Sequence, residues 1–412
     1  MAGLGETPKG DRVHIAFFGL RNAGKSTLVN AVTGQDVAIV SDRPGTTTDP
    51  VSKAMEILPL GPCLLTDTAG LDDDEDGLGA LRVAKSLAVL ATADVAIWVR
   101  SQDGAESSPA GSSCYERFLS ECRARNVPVL EYSRGDSVEG LKDRIASLDS
   151  VVEKPRPLVS DLVSRGDVVV CVCPIDSAAP KGRLILPQQQ VIRELLDSGA
   201  TAVVCRETEL ERTLGQVKGV KFVITDSQAF GAVSRVVPKE IPLTSFSIVF
   251  ARAKGDLRVF CEGARALASL KDGDRVLISE GCTHRRQCGD IGTQKLPKWI
   301  SSFSGAKPEF EWTSGGAFPS DLSRYALVVH CGGCMLTRRV VQERIARCAA
   351  AGVPIVNYGI AIAACHGITA SAESCMVLKR QAGAVRNGHP APASDFAEDS
   401  IPKETHRPGA SV

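Results

Sequence analysis

The sequence predicts an α/β protein of three domains, the first built on a mixed, mostly parallel sheet and the other two also α/β. Three observations lead there. Between Val13 and Leu28 an apolar run passes into a glycine-rich turn and then into a helical stretch. Through the middle of the chain, short β-branched runs alternate with helical segments, the pattern of β–α–β units. Two groups of cysteines stand directly after apolar runs ending at Ile278 and Val329, the strand ends where open α/β sheets place their ligands.

Length and composition set the frame. The 412 residues leave room for several domains, and a hydrophobic content of 43% is ample for ordinary cores. Forty-eight basic residues balance 48 acidic ones, so overall charge gives no argument for nucleic acid or an anionic membrane as partner. No uninterrupted apolar run approaches the roughly 18 residues of a spanning helix, and the first dozen residues lack the apolar core of a secretion signal. A cytoplasmic protein with no membrane partner is expected. The 14 cysteines are diluted in a long chain, which reads as buried thiols with a few metal ligands rather than a disulfide framework. The expected division is a flexible N-terminus at 1–11, a P-loop domain at 12–157, a second domain at 158–268, a third at 269–383 and a disordered tail at 384–412. That tail is polar and rich in Pro, Ser and Ala, and its His389 and His406 are not expected to be ligands.

The first domain reads as a nucleotide switch. In Gly19-Leu-Arg-Asn22-Ala23-Gly24-Lys25-Ser26-Thr27, the two outer glycines let successive N–H groups turn inward onto a phosphate. Lys25 is placed to reach the β- and γ-phosphates and the Ser26 hydroxyl to hold magnesium. Leu28, Val29 and Val32 share one face of the helix that follows, and Gly34 stops it. The next loop carries Thr46-Thr47-Thr48, of which Thr47 is expected to complete the magnesium shell in the triphosphate state. Lys53–Leu60 and Cys63–Thr66 read as a hairpin that delivers Asp67-Thr68-Ala69-Gly70. Asp67 at a strand end can bind the metal through water, and the Gly70 amide can sense the γ-phosphate until hydrolysis removes it.

Asn22-Ala-Gly-Lys-Ser, Pro44-Gly-Thr-Thr and Asp67-Thr-Ala-Gly-Leu71 together resemble the translation-factor-class GTPases of the Era and TrmE type. The resemblance implies GTP and Mg2+ as ligands, with Lys25, Thr47 and Gly70 in the hydrolytic machinery. It also implies that Asn22 binds K+, which supplies the positive charge given elsewhere by an arginine finger. Leu71 stands where Ras-like switches carry the glutamine that orients water, so slow unaided hydrolysis is expected. The likeness thins where the base is read. After the strand Val127–Tyr132, the expected Asn-Lys-x-Asp is Ser133-Arg134-Gly135-Asp136, leaving Asp136 to accept from guanine. Val138–Ile145 already reads as the domain's last helix, so a further strand and its Ser-Ala loop are missing.

The second domain offers Val168–Val172, Thr201–Val204 and Lys221–Ile224 as strands, separated by helical Gln188–Asp197 and Glu207–Leu214. Cys171, Cys173 and Cys205 lie within or just after apolar runs and read as packing residues. With no cluster suited to chemistry, the domain is expected to drive dimerisation. Glu240–Leu270 reads as helices leading out of it.

In the third domain one apolar run ends in Ser279-Glu-Gly-Cys282-Thr-His284 and another in His330-Cys331-Gly-Gly-Cys334. Cys-x-x-Cys spacing lets two sulfurs from one turn reach a common metal, and Gly332 and Gly333 are expected to leave room for a bulky guest. By spacing alone, both a closed zinc site of three cysteines and a histidine and a [4Fe–4S] cluster on three thiolates are open. Either His330 or His284 is the candidate fourth ligand, and Cys288 reads as a bystander.

A GTPase head joined to these two cysteine groups resembles the [FeFe]-hydrogenase maturation GTPases, the HydF family. Gln35-Asp-Val-Ala-Ile-Val-Ser-Asp, Gly182-Arg-Leu-Ile-Leu-Pro187, Asp290-Ile-Gly and Asn357-Tyr-Gly359 extend the likeness over nearly the whole chain. It implies that Cys282, Cys331 and Cys334 hold a [4Fe–4S] cluster with a labile fourth position. It further implies a scaffold that receives a transient two-iron precursor from two radical-SAM maturases and passes it to apo-[FeFe]-hydrogenase. A different reading is a potassium-dependent TrmE- or Era-like GTPase acting on RNA with a structural zinc domain, which the neutral charge disfavours.

Overall fold

The computed structural model describes residues 7–34, 50–58, 60–72, 76–101, 104–148, 156–175, 184–281, 290–315 and 317–367. Three sheets organise them, as expected of three α/β domains. Thr47, Cys282, His284 and Cys288 fall outside these ranges, as does the 384–412 tail.

The head sheet has five strands in the order β2-β3-β1-β4-β5. They are β1 Val13–Phe18, β2 Val51–Ile57, β3 Gly61–Asp67, β4 Val95–Val99 and β5 Val129–Tyr132. The hairpin is present: β2 runs antiparallel to β3, pairing Met55 with Cys63, while the remaining pairs are parallel. β1 is central and buried on both faces. Ile15 and Phe17 pack towards Leu28, Val29 and Leu141, and Ala16 and Phe18 towards Leu87, Trp98 and Phe118. Such two-faced burial explains a run with no polar alternation. After β5 the chain enters the helix Val138–Ala146 at once, with Ser137 capping it through Gly140 N at 3.2 Å. Among the described residues the head has no sixth strand, consistent with the missing segment expected there.

The second sheet is parallel, in the order β7-β6-β8-β9, with β6 Val168–Val172, β7 Thr201–Cys205, β8 Val220–Thr225 and β9 Leu243–Ser245. β9 falls within Glu240–Leu270, a stretch whose sequence is expected to be helical. Three residues after Pro242 are too few for periodicity to reveal, and β9 exists because β8 offers it an edge. Ser245 then caps the helix Phe246–Lys254 by accepting from Ile248 N at 3.3 Å.

The third sheet is parallel, in the order β11-β10-β12-β13, with β10 Arg275–Ser279, β11 Glu309–Thr313, β12 Leu327–His330 and β13 Ile355–Asn357. The second and third sheets share one hydrophobic core, in which Val223, Phe230 and Ile248 join Ile278, Val329 and Ile362. No helix among the described residues is long and apolar enough to cross a membrane.

Candidate functional site

Two sites emerge, at the C-terminal ends of β1 and β12. At the first, the backbone supplies the curvature the sequence implied: Asn22 and Gly24 lie in the left-handed region at φ 57° and 89°. A Cβ at Gly24 would meet nothing within 4 Å, whereas one at Gly19 would stand 2.6 Å from Val99 O. Gly24 keeps the mouth of the cradle open, and Gly19 lets β1 approach the end of β4. Lys25 opens the helix Lys25–Thr33, and its buried ammonium donates to Leu20 O at 2.7 Å and Gly19 O at 3.3 Å. Burial lowers its pKa, and the carboxylates of Asp67 and Asp72 oppose the shift.

The metal-binding groups also converge. Ser26 Oγ donates to Asp67 Oδ2 at 2.5 Å. Asp67 is buried, and its Oδ1 has no hydrogen-bond partner among the described residues. Burial raises its pKa, and the Ser26 hydroxyl, the Lys25 ammonium and the Thr68 amide lower it. A buried carboxylate oxygen without a donor, beside a hydroxyl that can turn its lone pairs to a metal, is the donor set of a hydrated divalent cation, so the residues present fit magnesium. Ala23 is buried, and Asn22 and Thr27 lie exposed on the same turn.

The Asp-x-x-Gly segment lies directly on the cradle. Leu71 N donates to Gly19 O at 3.2 Å, and Arg21 N donates to Asp72 Oδ1 at 2.6 Å. A Cβ at Gly70 would stand 2.6 Å from Arg21 Cγ, so only glycine permits this approach. The role of Asp72 was missed in the sequence, where it merges into an acidic run. At the base-reading position, Asp136 is exposed and its Oδ2 already accepts from Ser133 N at 2.8 Å, closing a tight turn. One oxygen of that carboxylate is therefore committed inside the protein.

At the second site Cys331 and Cys334 lie on the turn that leaves β12. Cys331 Sγ accepts from Gly281 N at 3.0 Å and from Gly333 N at 3.4 Å. Gly281 is the residue that precedes Cys282 in the sequence. Burial raises the pKa of both thiols, that of Cys334 to about 11, while the two amides pull Cys331 back. Thiols in this state are deprotonated by binding a metal, and a sulfur held by two amides is prepared for that charge. The described residues contain no group of three or more His, Cys, Asp or Glu able to hold a metal by themselves, and Cys282 lies outside them. Two thiols on one turn, one of them with two amide donors, are a donor set suited to a soft, thiolate-bound metal.

Two expectations are corrected here. His330 is buried with both nitrogens engaged: Nδ1 lies 2.7 Å from Cys331 O, which can only accept, so Nδ1 carries the proton and Nε2 accepts from Arg344 at 3.1 Å. Burial and Arg344 hold its pKa down to about 3. It orients the turn and offers no lone pair to a metal. Nor do the glycines leave open room: a Cβ at Gly332 would lie 3.2 Å from Ser247 Oγ, and one at Gly333 3.2 Å from Val341 Cγ2. They allow close packing of the turn. Glu280, buried beside the site with Tyr358 OH donating to its Oε1 at 3.3 Å, was not singled out in the sequence.

Comparison with known proteins places these sites in context. Residues 14–129 match the 50S ribosome-binding GTPase model, 158–255 the hydrogen maturase F dimerization domain and 258–373 the hydrogen maturase F tetramerization domain. An assembly domain around the cysteine turn was not foreseen. The tRNA modification GTPase MnmE of Acidiphilium cryptum (strain JF-5) is 44% identical over 96 residues, 23% of this chain and 22% of the relative. That of Methylobacterium radiotolerans is 39% identical over 175 residues, 41% of this chain and 39% of the relative. The chain thus spans well under half the length of these relatives. Among solved structures, Aquifex aeolicus Era bound to GDP.AlF4- covers 76% of this chain and 94% of its own at 17% identity, with a TM-score of 0.25, which carries no argument.

Proposed function

We propose, from the premise that this chain is a HydF-type hydrogenase maturase GTPase, that its third domain is an iron–sulfur scaffold whose loading and partner exchange the GTPase head times. The observation that carries the proposal is the Cys331 sulfur, held by the amides of Gly333 and of Gly281, the residue before Cys282. Cys282, Cys331 and Cys334 would hold a [4Fe–4S] cluster, which when bound supplies a soft, exchangeable attachment point. Its substrate would be the two-iron precursor, received from two radical-SAM maturases and delivered to apo-[FeFe]-hydrogenase. The residues around the thiols hold the turn in place: His330 and Arg344 tie its first residue to β10 through Ser279 Oγ.

In the head, the N–H groups of residues 22–27 would cradle the phosphates, Lys25 would exchange its carbonyls for the β- and γ-oxygens, and Ser26, with Thr47 and with Asp67 through water, would hold Mg2+, which when bound would neutralise phosphate charge. Gly70 reports the γ-phosphate, Asn22 binds K+, and Asp136 selects guanine with the oxygen left to it. Turnover is slow because Leu71 cannot orient water. The second domain supplies the homodimer contact, and the domain limits are those expected from the sequence, save that Lys9–Asp11, expected within a flexible N-terminus, forms a turn that belongs with β1 and the head. The tRNA-modification reading accounts for less of the chain, since the MnmE of Methylobacterium radiotolerans aligns with 41% of it.

The test is anaerobic reconstitution followed by iron and sulfide analysis, GTP turnover in potassium and sodium salts, and activation of apo-hydrogenase on the same preparation. Four irons per chain with activation supports the scaffold; a colourless, zinc-loaded protein that does not activate refutes it.

A further inference from the structure

The head meets the cysteine turn at the end of β1 opposite the cradle. The Lys9–Asp11 turn precedes β1, and a Cβ at Gly10 would stand 2.7 Å from Leu336 O and 3.1 Å from Cys334 O. Lys254, the last residue of the helix Phe246–Lys254, is buried at this junction at 8% exposure. Its Nζ donates to Leu336 O at 2.8 Å and to Cys334 O at 3.2 Å, and the Asp11 carboxylate stands 3.7 Å away. The helix that follows the turn answers it, Gln342 Nε2 donating to Lys254 O at 3.1 Å.

An ammonium carries three protons. Two go to the carbonyls of the cysteine turn, and the third side faces the head. A neutral donor would satisfy those carbonyls without the penalty of burying a charge, so the charge itself calls for negative partners. Asp11 is one, and it sits at the solvent edge. Among the described residues, the thiols of Cys334 and Cys331, once ionised by binding a metal, would be further negative charges acting on it.

We propose that Lys254 is a positioning residue for the thiolate site, pinning the Cys331–Cys334 turn between the second domain and the head and supplying the buried positive charge that the thiolate-held group experiences. The charge role rests on the iron–sulfur reading above; the pinning role rests on the carbonyl bonds alone.

The test uses the full chain as wild type, Lys254→Met, Lys254→Arg and Asp11→Asn. In iron-free protein, amide hydrogen exchange over residues 331–337 should accelerate at least about 10-fold in Lys254→Met, as the loss of hydrogen bonds from a charged donor implies. Lys254→Arg should restore slow exchange, and Asp11→Asn should accelerate it by a smaller factor. In reconstituted protein, the midpoint potential of the cluster should move negative in Lys254→Met and return in Lys254→Arg, which a purely structural role would not produce. Basal GTP turnover should be unchanged in the Lys254 variants. Unaltered exchange over 331–337 in Lys254→Met overturns the pinning, and an unaltered potential overturns the charge role. Should Lys254→Met fail to melt cooperatively, Asp11→Asn decides, and wild-type exchange in that variant overturns the link to the head. A wild-type chain that binds no iron refutes the cluster reading and the charge role with it, while the exchange contrast still judges the pinning.

Discussion

Gly19 and Gly24 flank the same turn, yet alanine at the two positions should fail in different ways. At Gly19 the new Cβ would lie 2.6 Å from Val99 O and 3.4 Å from the Ala23 Cβ. The carbonyl belongs to the last residue of a buried strand, so either strand must give by about 0.8 Å to reach ordinary contact. Overpacking of that kind costs about 1–3 kcal/mol, and a positive φ adds about 1 kcal/mol more. For a domain of this size the total lowers the midpoint of thermal unfolding by about 5–15 °C. At Gly24 no atom lies within 4 Å of the new Cβ, and the left-handed φ of 89° alone is charged, about 1–2 kcal/mol. The same methyl, however, stands in the mouth of the cradle. Wild type at a hundredfold excess of nucleotide over its dissociation constant should gain about 2.7 kcal/mol, and Gly24→Ala should gain none. Differential scanning fluorimetry of the head transition, with and without Mg-GTP, measures both quantities. A Gly24→Ala protein that keeps the full nucleotide-induced shift would refute the assignment of residues 19–26 as the phosphate site.

Three further outcomes are expected. Asp67→Asn removes the buried carboxylate that accepts from Ser26, and GTP turnover should fall by at least about 100-fold with a raised Mg2+ requirement; normal turnover at low Mg2+ would contradict the metal assignment. Turnover should be faster in potassium than in sodium salts, and Asn22→Ala should erase the difference, a persistent potassium preference in that variant being the contrary result. Cys331→Ala should lose most of its iron and all hydrogenase activation while keeping basal GTP turnover, because the cradle and the cysteine turn lie on different sheets; activation at the normal rate would sink the scaffold.

The parts of this molecule visible in the sequence are those encoded by neighbouring residues. The cradle, the Val51–Asp67 hairpin and the strands Val168–Val172 and Val220–Thr225 each announce themselves through a local run or a turn. β9 and β13, of three residues each, do not, since a short parallel strand is defined by the edge it joins. β11 hides differently: Glu309-Phe-Glu-Trp-Thr313 alternates like a half-exposed strand, but only its pairing with β10 gives it a place. The cysteine turn was visible as a motif, whereas the engagement of His330 depends on Arg344, 14 positions away on another element. Asp11, Lys254 and Cys334 are scattered along the chain, and no periodicity links them.

The docking of the head through its base bears on how the domain could be exchanged. β1 holds the phosphate turn at one end and the Lys9–Asp11 turn at the other, a span of about 20 Å for six residues. A foreign GTPase grafted in at the cradle would supply the chemistry but would also have to offer a glycine against Leu336 O and a carboxylate near Lys254. Inserting or deleting one residue in β1 would turn its side chains to the opposite faces and displace one end relative to the other. The grafting unit is therefore the strand with both of its turns, and a chimera that respects only the nucleotide motifs should bind GTP while leaving the cysteine turn without its cover.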